Sequence, residues 1–369
     1  MRIYVVAGEA SGDLQAAAVM QALKEQHPAV AFRFWGGDRM AAVAGTQPVV
    51  HNRERAFMGL WEVLKNLGRI RRYLKQCKED ILAWKPDVLL LVDYPGFNLR
   101  MAAVGKKAGI RTIYFIAPKA WAWKKQRAAQ LAAQTDLVLS ILPFESDFFR
   151  PWGVNLKYIG NPLLDAVRGF QPDPGFRAVH GLESDFIALL PGSREQEIVR
   201  ILPGMLATAA RFPGIPAAVA CAPDFPPEWY TERFGSPENI VFVPAASYEL
   251  LATARVALVA SGTATLEAAL FHCPQVVCYA TSKLTYYAAR AVLKIRFISL
   301  VNLIMDRLVV PEQIQDAMHP DRLEPLLRGL WEGAERERML AAYRELDTCM
   351  GEPGAARRAA MEIIRSLRA

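Results

Sequence analysis

Cysteine is scarce in this sequence, and its positions follow no ligand-binding pattern. Only Cys273 and Cys278 are close in the chain, and His272 is the only histidine beside them. A disulfide framework or a zinc site needs paired spacings such as C-x-x-C, which are absent. We therefore expect buried or neutral thiols at the five cysteines, which are Cys77, Cys221, Cys273, Cys278 and Cys349.

Long apolar runs are also missing. No run approaches the roughly 18 apolar residues that a membrane-spanning helix requires, and the longest pure runs are like Val88–Val92, which suits a buried strand. The N-terminus enters a strand within Met1–Val6 and lacks the apolar core of a signal peptide. These features predict a cytoplasmic protein.

Several catalytic signatures are absent. No G-x-G-x-x-G occurs, because Gly8–Asp13 has a different spacing and places Glu9 where a pyrophosphate would approach. The motifs G-x-x-x-x-G-K-[ST], H-E-x-x-H and G-x-S-x-G are missing too. No Asp-x-Asp pair is available for a nucleotide-bound metal. We therefore expect neither a cofactor nor a metal. In a metal-independent transferase, helix N-termini and arginine must neutralise the leaving diphosphate.

Charge is distributed unevenly along the chain. The formal net charge is +7, but residues 1–165 contain 23 Lys and Arg against 14 Asp and Glu, a net +9. Residues 166–369 contain 21 against 23, a net −2. The basic half predicts an anionic partner, which is a membrane surface, a phosphorylated substrate or a nucleic acid.

Short apolar runs alternate with helical stretches in two series, and 369 residues exceed one ordinary domain. The predicted strands are Ile3–Ala7, Ala31–Trp35, Val88–Val92, Thr112–Ile116 and Leu137–Leu142, then Phe186–Leu190, Pro216–Cys221, Ile240–Val243, Val256–Val259 and Gln275–Tyr279. This rhythm is typical of doubly wound parallel sheets, and the Gly- and Pro-containing stretch Arg168–Gly181 separates the series. We predict an α/β fold with Rossmann-like domains at 1–167 and 168–350 facing across a cleft, and a helix at 351–369 that packs back on an N-terminal domain.

Two turns in the second half have the composition of phosphate-binding sites. In the first, Gly192 permits a close backbone approach, and Ser193 and Arg194 add a hydroxyl and a guanidinium at a helix start. Its alternative is a capped helix with a surface arginine. In the second, Ser261-Gly262-Thr263 follows a strand, and Glu267 one turn later offers a carboxylate to two ribose hydroxyls. Ser-Gly-Thr alone is more often a plain N-cap, but the two turns together predict a nucleoside diphosphate site.

These motifs resemble, in order, those of the lipid-A-disaccharide synthase family. The matching segments are Gly8–Asp13, Gly36–Met40, Met58–Leu64, Asp93–Asn98, Trp121–Trp123, Leu142–Glu145, Leu190–Arg194, Ser261–Glu267 and Ser299–Ile304. Three positions depart from the family pattern: Lys119 stands where glutamine is common, Asn161 where histidine is common, and Val301 where proline is common. None of these departures removes a carboxylate or a phosphate turn.

The resemblance implies a GT-B fold and an inverting, metal-independent hexosyltransferase of Gram-negative lipid A synthesis. The donor would be UDP-2,3-diacylglucosamine, and the acceptor would be the 6-hydroxyl of 2,3-diacylglucosamine 1-phosphate. The products would be a β(1→6)-linked lipid A disaccharide 1-phosphate and UDP. The resemblance further implies a peripheral protein on the cytoplasmic face of the inner membrane, and it leaves monomer and homodimer open.

The resemblance also assigns site residues. Glu9, Ser11 and Asp13 would line the acceptor side, with an ordinary N-cap as the alternative for Asp13. Arg290 is a further candidate for phosphate contact, with a solvated arginine as the alternative. The implied donor-site residues are Gly192, Ser193, Arg194, Ser261, Gly262, Thr263, Glu267, Asn302, Glu312 and Gln313.

Asp93 is the predicted catalytic base. It follows the apolar strand Val88–Val92 at the carboxyl end, which is the ligand-binding edge of an open parallel sheet. Pro95 and Gly96 then force a turn that holds the carboxylate in place. An inverting transfer needs one base to take the proton of the attacking hydroxyl, and the resemblance points to the same position. The alternative is that Asp93 caps the next helix.

A basic amphipathic stretch at Met58–Lys78 has the composition of an interfacial helix. Apolar residues recur there at helical spacing, and basic residues are frequent from Lys65 to Lys78 with no acidic residue between them. The predicted contacts with the anionic inner-membrane surface are Leu60, Trp61, Leu64, Leu67, Arg69 and Arg72. The alternative is a core-packing helix with a solvated basic face. The basic first half and the acylated substrates favour membrane contact.

Two other functions compete with this prediction. Another UDP-GlcNAc-using GT-B enzyme, such as a 2-epimerase or a peptidoglycan-precursor transferase, disagrees with the motifs Gly8–Asp13 and Asp93–Asn98. A non-enzymatic nucleic-acid-binding or lipid-binding protein would explain the charge but not the two phosphate turns. We therefore expect no nucleic-acid partner.

Overall fold

The chain forms two compact α/β units in a computed structural model, which describes residues 1–55, 67–122, 125–282, 286 and 296–367. The first unit is Met1–Pro162 with Glu352–Ala369, and the second is Leu163–Gly351. The division falls after Pro162 and not after residue 167, because helix Pro162–Gly169 buries two side chains in the core of the second unit.

In the described part of the first unit, seven parallel strands form the sheet, in the order β3-β2-β1-β4-β5-β6-β7. The strands are β1 Arg2–Ala7, β2 Ala31–Gly36, β3 Val50–His51, β4 Val88–Val92, β5 Arg111–Phe115, β6 Leu137–Ser140 and β7 Leu156–Tyr158. The helices are Ala10–Gln26, Asp38–Ala44, Leu67–Trp84, Pro95–Lys107, Gln126–Gln134, Glu145–Phe149 and Ala355–Ser366, with 3₁₀ turns at Asn52–Arg55 and Arg150–Trp152.

Alternation along the central strand β1 explains the layers of this unit. Ile3 and Val5 pack on one face with helix Ala10–Gln26, while Tyr4 and Val6 belong to a separate apolar cluster on the other face. Successive side chains of a strand point to opposite faces, so a strand that is apolar at every position is buried between two helical layers.

The C-terminal helix Ala355–Ser366 belongs to the first unit. Ala355, Ala359 and Ile363 are fully buried and share an apolar cluster with helix Ala10–Gln26. The Arg358 guanidinium also donates from Nε to the carbonyl oxygen of Ile159 at 2.7 Å. The chain therefore crosses into the second unit and returns to complete the first.

Among the residues of the second unit that the structure describes, six parallel strands form the sheet, in the order β10-β9-β8-β11-β12-β13. The strands are β8 Ile187–Leu190, β9 Ala217–Cys221, β10 Ile240–Pro244, β11 Val256–Ala260, β12 Gln275–Tyr279 and β13 Glu312–Ile314. The helices are Pro162–Gly169, Phe176–Val179, Glu195–Ala209, Pro227–Phe234, Ser247–Thr253, Thr263–Leu270, Leu300–Met305, Pro320–Trp331 and Ala334–Met350, with a 3₁₀ turn at Gln315–Ala317.

All five cysteines are free, and four of them are buried. Cys77, Cys221, Cys273 and Cys278 are buried free thiols, and burial raises the pKa of Cys221, Cys273 and Cys278 to about 12. Cys349 is a free thiol that is exposed, because its helix Ala334–Met350 turns that position outward.

Within the described ranges, no helix combines the length and the apolar composition that crossing a membrane requires.

Candidate functional site

Polar loops of the first unit meet at the carboxyl edge of its sheet. Strands β1, β4 and β5 are neighbours, and they are followed by the Gly8 loop, by Asp93 and by the loop that carries Lys119. The carboxyl ends of parallel strands lie at one edge of the sheet, which is where open α/β sheets bind ligands. The fold therefore brings Glu9, Asp93 and Lys119 to the same edge.

The backbone of Asp93 is held in an uncommon conformation. Asp93 and Tyr94 have φ of 45° and 49°, a left-handed region that costs a non-glycine residue about 1 kcal/mol or more. The Asn98 amide donates to the carbonyl oxygens of Val92 at 3.1 Å and Asp93 at 2.8 Å. The Tyr114 hydroxyl donates to the same Asp93 oxygen at 2.6 Å. Asn98 and Tyr114 therefore fix the direction of the Asp93 side chain, a role that the sequence spacing did not reveal.

The environment of the Asp93 carboxyl raises its pKa. Burial is the largest cause and the charge of Glu9 adds to it, while the Tyr94 N–H and the Lys119 ammonium act in the opposite direction. Tyr94, not Asp93, is the N-cap of helix Pro95–Lys107. The capping alternative therefore does not describe this residue, and a partly buried carboxylate of raised pKa is suited to accept a proton.

The Gly8 loop packs directly on the residue after Asp93. A Cβ atom at Gly8 would lie 2.3 Å from Cγ of the Tyr94 ring, so only glycine fits there. Glu9 and Ser11, which follow in this loop, are exposed. The sequence motif is therefore explained in part by close packing, and it leaves two polar side chains accessible beside Asp93.

Asp13 has a structural environment that differs from both sequence interpretations. It is 4% exposed and lies in the first turn of its helix, where Glu9 is the N-cap. Its carboxylate accepts hydrogen bonds from the backbone N–H groups of Gly37 at 2.7 Å, Arg39 at 3.1 Å and Met40 at 3.2 Å. The carboxylate therefore anchors the loop after β2 and is not available as an N-cap of its own helix.

A second buried carboxylate at this edge was not singled out by sequence reasoning. Glu145 is 1% exposed; it accepts a hydrogen bond from Trp121 Nε1 at 3.2 Å and one from Ser140 Oγ at 2.5 Å. Burial raises the pKa of Glu145 to about 7, although Ser140, Trp121 and Lys119 favour the charged form. The motif Leu142–Glu145 was visible in the sequence, but nothing in its spacing indicated that Glu145 holds the Trp121 loop.

The first predicted phosphate turn lies at the carboxyl edge of the second sheet. Gly192 has φ of 105°, and a Cβ atom there would lie 2.8 Å from the Glu197 carboxylate. Ser193 and Arg194 are exposed, and Arg194 lies 3.5 Å from Glu197. The turn is open to a ligand, but Glu197 shares the helix start, so an anion would have to compete with this carboxylate for Arg194.

The second turn follows β11, which is the neighbour of β8 in the sheet, so the two turns lie side by side. Ser261 donates through Oγ to the carbonyl oxygen of Ile298 at 3.1 Å, and Thr263 is exposed at the start of helix Thr263–Leu270. Glu267 is partly buried, and it accepts a hydrogen bond from the Tyr248 hydroxyl at 3.3 Å. Burial raises the pKa of Glu267, and Tyr248 opposes that shift.

Asn302 and Glu312 form a hydrogen-bond network inside the second unit. Asn302 is fully buried; its Oδ1 accepts from the backbone N–H of Val310 at 2.9 Å, and its Nδ2 donates to Glu312 at 2.8 Å. Glu312 also accepts from the backbone N–H of Ser299 at 2.9 Å. Gln313 lies in β13, opposite Cys278. Asn302 and Glu312 therefore brace the segment beside the second turn.

Only part of the predicted membrane stretch lies in the described residues. Leu60, Trp61, Leu64 and the phosphate candidate Arg290 lie outside them, and Leu67 opens helix Leu67–Trp84. Arg69 and Arg72 are exposed. Leu74, further along the same helix, packs against the core of the first unit, because the inner face of this helix covers the sheet.

Among the residues that the structure describes, no three His, Cys, Asp or Glu side chains come together as a metal-binding group. Asn161, a departure from the family pattern, is 3% exposed and donates to the carbonyl oxygen of Ile141 at 3.1 Å.

Two doubly wound parallel sheets, with polar turns at their carboxyl edges, are the architecture of the GT-B fold class. A UDP-GlcNAc 2-epimerase from Neisseria meningitidis bound to UDP-GlcNAc matches with a TM-score of 0.67 at 12% identity, over 100% of both chains. A calicheamicin glycosyltransferase matches with a TM-score of 0.64 at 16% identity, over 100% of this chain and 98% of its own. These likenesses show the fold.

Sequence comparison gives the family. The model of the lipid-A-disaccharide synthetase family matches residues 3–347. Lipid-A-disaccharide synthase from Myxococcus xanthus is 42% identical over 99% of this chain and 97% of its own length. The Pseudomonas fluorescens enzyme is 38% identical over 91% of both. The chain belongs to the lipid-A-disaccharide synthase family.

Proposed function

We propose that this chain joins two acylated glucosamine units, with Asp93 as the base and the second unit as the UDP-sugar site. The donor is UDP-2,3-diacylglucosamine and the acceptor is 2,3-diacylglucosamine 1-phosphate. The observation that carries the proposal is the Asp93 carboxylate, which lies at a sheet edge, with its backbone locked by Asn98 and Tyr114 and its pKa raised.

The reaction is an inverting displacement at the anomeric carbon of the donor. The acceptor 6-hydroxyl oxygen forms the new bond to C1 while the bond from C1 to the UDP oxygen breaks. Asp93 takes the hydroxyl proton, and the electron pair of the broken bond leaves on UDP. Such a base contributes about 10²- to 10⁴-fold to the rate of a transfer.

The donor diphosphate is assigned to the two turns after β8 and β11. Their exposed donors are Ser193, Arg194 and Thr263, and the helices that begin there add positive N-terminal dipoles. Glu267 is assigned to the ribose hydroxyls. Asn302 and Glu312 act indirectly, because their own hydrogen bonds hold the neighbouring segment in place.

The experiment is the Asp93→Asn variant, assayed for UDP and disaccharide with both substrates. We expect kcat to fall on the order of 10²- to 10⁴-fold, with unchanged affinity for UDP by calorimetry. Asp147→Asn is the control, because Asp147 is an exposed carboxylate of the same unit that pairs with Arg150. Near-normal turnover of Asp93→Asn would show that another group removes the proton.

The proposal places the enzyme at the cytoplasmic face of the inner membrane, because both sugars carry acyl chains. The exposed Arg69 and Arg72 support contact with anionic lipid. Monomer and homodimer are both compatible with this proposal, and sedimentation velocity distinguishes a mass of 41.0 kDa from twice that value.

A further inference from the structure

A polar groove lies beside the segment that carries Asp93. It runs between helices Pro95–Lys107 and Gln126–Gln134 and has a volume of about 470 Å³, which falls in the range of small-molecule sites. We call it the arginine groove. Its lining residues are Pro95, Gly96, Leu99, Arg100, Ala103, Gln126, Arg127, Gln130 and Gln134.

The chemistry of the arginine groove favours an oxyanion. Two guanidinium groups and three side-chain amides line it, and no lining residue carries a carboxylate. Arg100 donates to the carbonyl oxygen of Gly96 in its own helix and forms no ion pair with any carboxylate of the described residues. A guanidinium presents several N–H donors in a planar fork, which matches the oxygens of a phosphate ester.

The groove is also next to the proposed base. Pro95 and Gly96, which line it, follow Asp93 by two and three residues. Burial and Asp93 raise the pKa of Tyr114, and Arg127 is close enough to oppose that shift. The Tyr114 hydroxyl in turn donates to the Asp93 carbonyl oxygen. Arg127 and Asp93 are therefore both near the Tyr114 side chain.

The acceptor has the matching arrangement of groups. Its 1-phosphate is on C1 and its 6-hydroxyl is on the carbon attached to C5, and C1 and C5 flank the same ring oxygen. A phosphate held beside Asp93 therefore leaves the 6-hydroxyl within reach of the base. Leu99 and Ala103 give the groove an apolar wall, which suits the carbon framework of the sugar.

We propose that the arginine groove binds the phosphate ester of the acceptor, with Arg100 and Arg127 as its ligands. This inference rests on the proposed function, because it takes Asp93 as the base for the 6-hydroxyl. It assigns a substrate role to two arginines and a groove that no sequence motif marked.

The test compares two acceptors in micelles of neutral detergent at saturating donor. One is 2,3-diacylglucosamine 1-phosphate, and the other carries a 1-O-methyl group in place of the phosphate. In the double variant Arg100→Gln/Arg127→Gln, we expect KM for the phosphorylated acceptor to rise on the order of 10- to 100-fold. KM for the methyl acceptor and for the donor is expected to stay constant.

Lys107→Gln is the matched control. Lys107 lies in the same helix as Arg100 but outside the arginine groove, so the change removes a positive charge without altering the groove. We expect it to leave the KM for both acceptors unchanged. Thermal unfolding of all variants verifies that the exchanged surface residues leave the fold intact.

Three results would overturn the inference while the proposed function stands. One is an unchanged KM for the phosphorylated acceptor, and another is an equal rise for both acceptors. The third is lost binding to vesicles of anionic phospholipid with both KM values unchanged, which would make the groove a lipid-headgroup site. Absence of disaccharide with the wild-type chain would instead contradict the proposed function. In that case, calorimetry with the phosphorylated acceptor tests whether the arginine groove binds its phosphate. Equal affinity of the wild type and the double variant for this acceptor would overturn the inference.

Discussion

At the residue scale, similar carboxylates of the candidate site differ in role because their hydrogen-bond partners differ. Asp13 and Asp93 both follow central strands of the first sheet. The Asp13 carboxylate accepts hydrogen bonds from three backbone N–H groups. In Asp93, by contrast, hydrogen bonds to the carbonyl oxygen hold the backbone in place. The sequence predicted both positions but not this difference, because the partners of Asp13 lie 24 to 27 residues away.

The pH dependence of transfer offers a residue-scale prediction. A general base acts when deprotonated, so kcat/KM rises as pH rises through the pKa of Asp93. Glu9 raises this pKa and Lys119 lowers it. We therefore expect Glu9→Gln to shift the acidic limb of the kcat/KM profile to lower pH, and Lys119→Gln to shift it to higher pH.

Glu25→Gln serves as the control for this pair, because Glu25 is exposed and accepts a hydrogen bond from Gln21 in its own helix. Its acidic limb is expected to match that of the wild type. Shifts of the same sign for Glu9→Gln and Lys119→Gln would contradict the assignment of that limb to Asp93.

At the element scale, apolar runs predicted the central strands well and the edges poorly. The strands that the sequence did not predict are β3, β7 and β13, which have two or three residues each and lie at the edges of the two sheets. A strand of this length has too few residues to show a period. It forms because a neighbouring strand offers its hydrogen-bonding edge, which is a tertiary condition.

Membrane contact is the element-scale prediction. We expect Trp61→Glu combined with Leu64→Glu to reduce binding to anionic vesicles at least about 10-fold, because an interfacial helix binds through buried apolar area and cationic charge. Flotation with vesicles measures the effect, and circular dichroism checks the fold.

Leu308→Glu controls for the effect of an added negative charge on vesicle binding, because Leu308 is a leucine of the second unit that is 68% exposed. Its vesicle binding is expected to be unchanged. Retained binding of the Trp61 and Leu64 double variant would place the lipid contact elsewhere.

At the scale of the whole molecule, the chain completes its first unit only at its C-terminus. Ile363 is fully buried in the cluster that also contains residues of helix Ala10–Gln26. The first unit therefore depends on a helix that is synthesised after the whole second unit. Because parts of a protein can unfold separately, we expect the two units to differ in their free energy of unfolding.

Ile363→Ala tests this organisation. Removal of a buried isoleucine side chain costs about 2–5 kcal/mol, and we expect this loss in the denaturant unfolding of the first unit. UDP affinity, which the second unit is proposed to provide, should be retained. Met361→Ala in the same helix is the control, since Met361 is 36% exposed and should change stability by less than about 1 kcal/mol. Equal loss of UDP binding and first-unit stability would contradict separable units.

The sequence by itself determined the two series of parallel strands, the family and the turns at the strand ends, because continuous apolar runs and short Gly-containing motifs are local signals. Only the tertiary structure decided which side chains are available. It buried Asp13, Glu145 and Asn302 in hydrogen bonds and opened the arginine groove between two helices. Burial and hydrogen bonding are set by residues distant in the chain, so no local pattern specifies them.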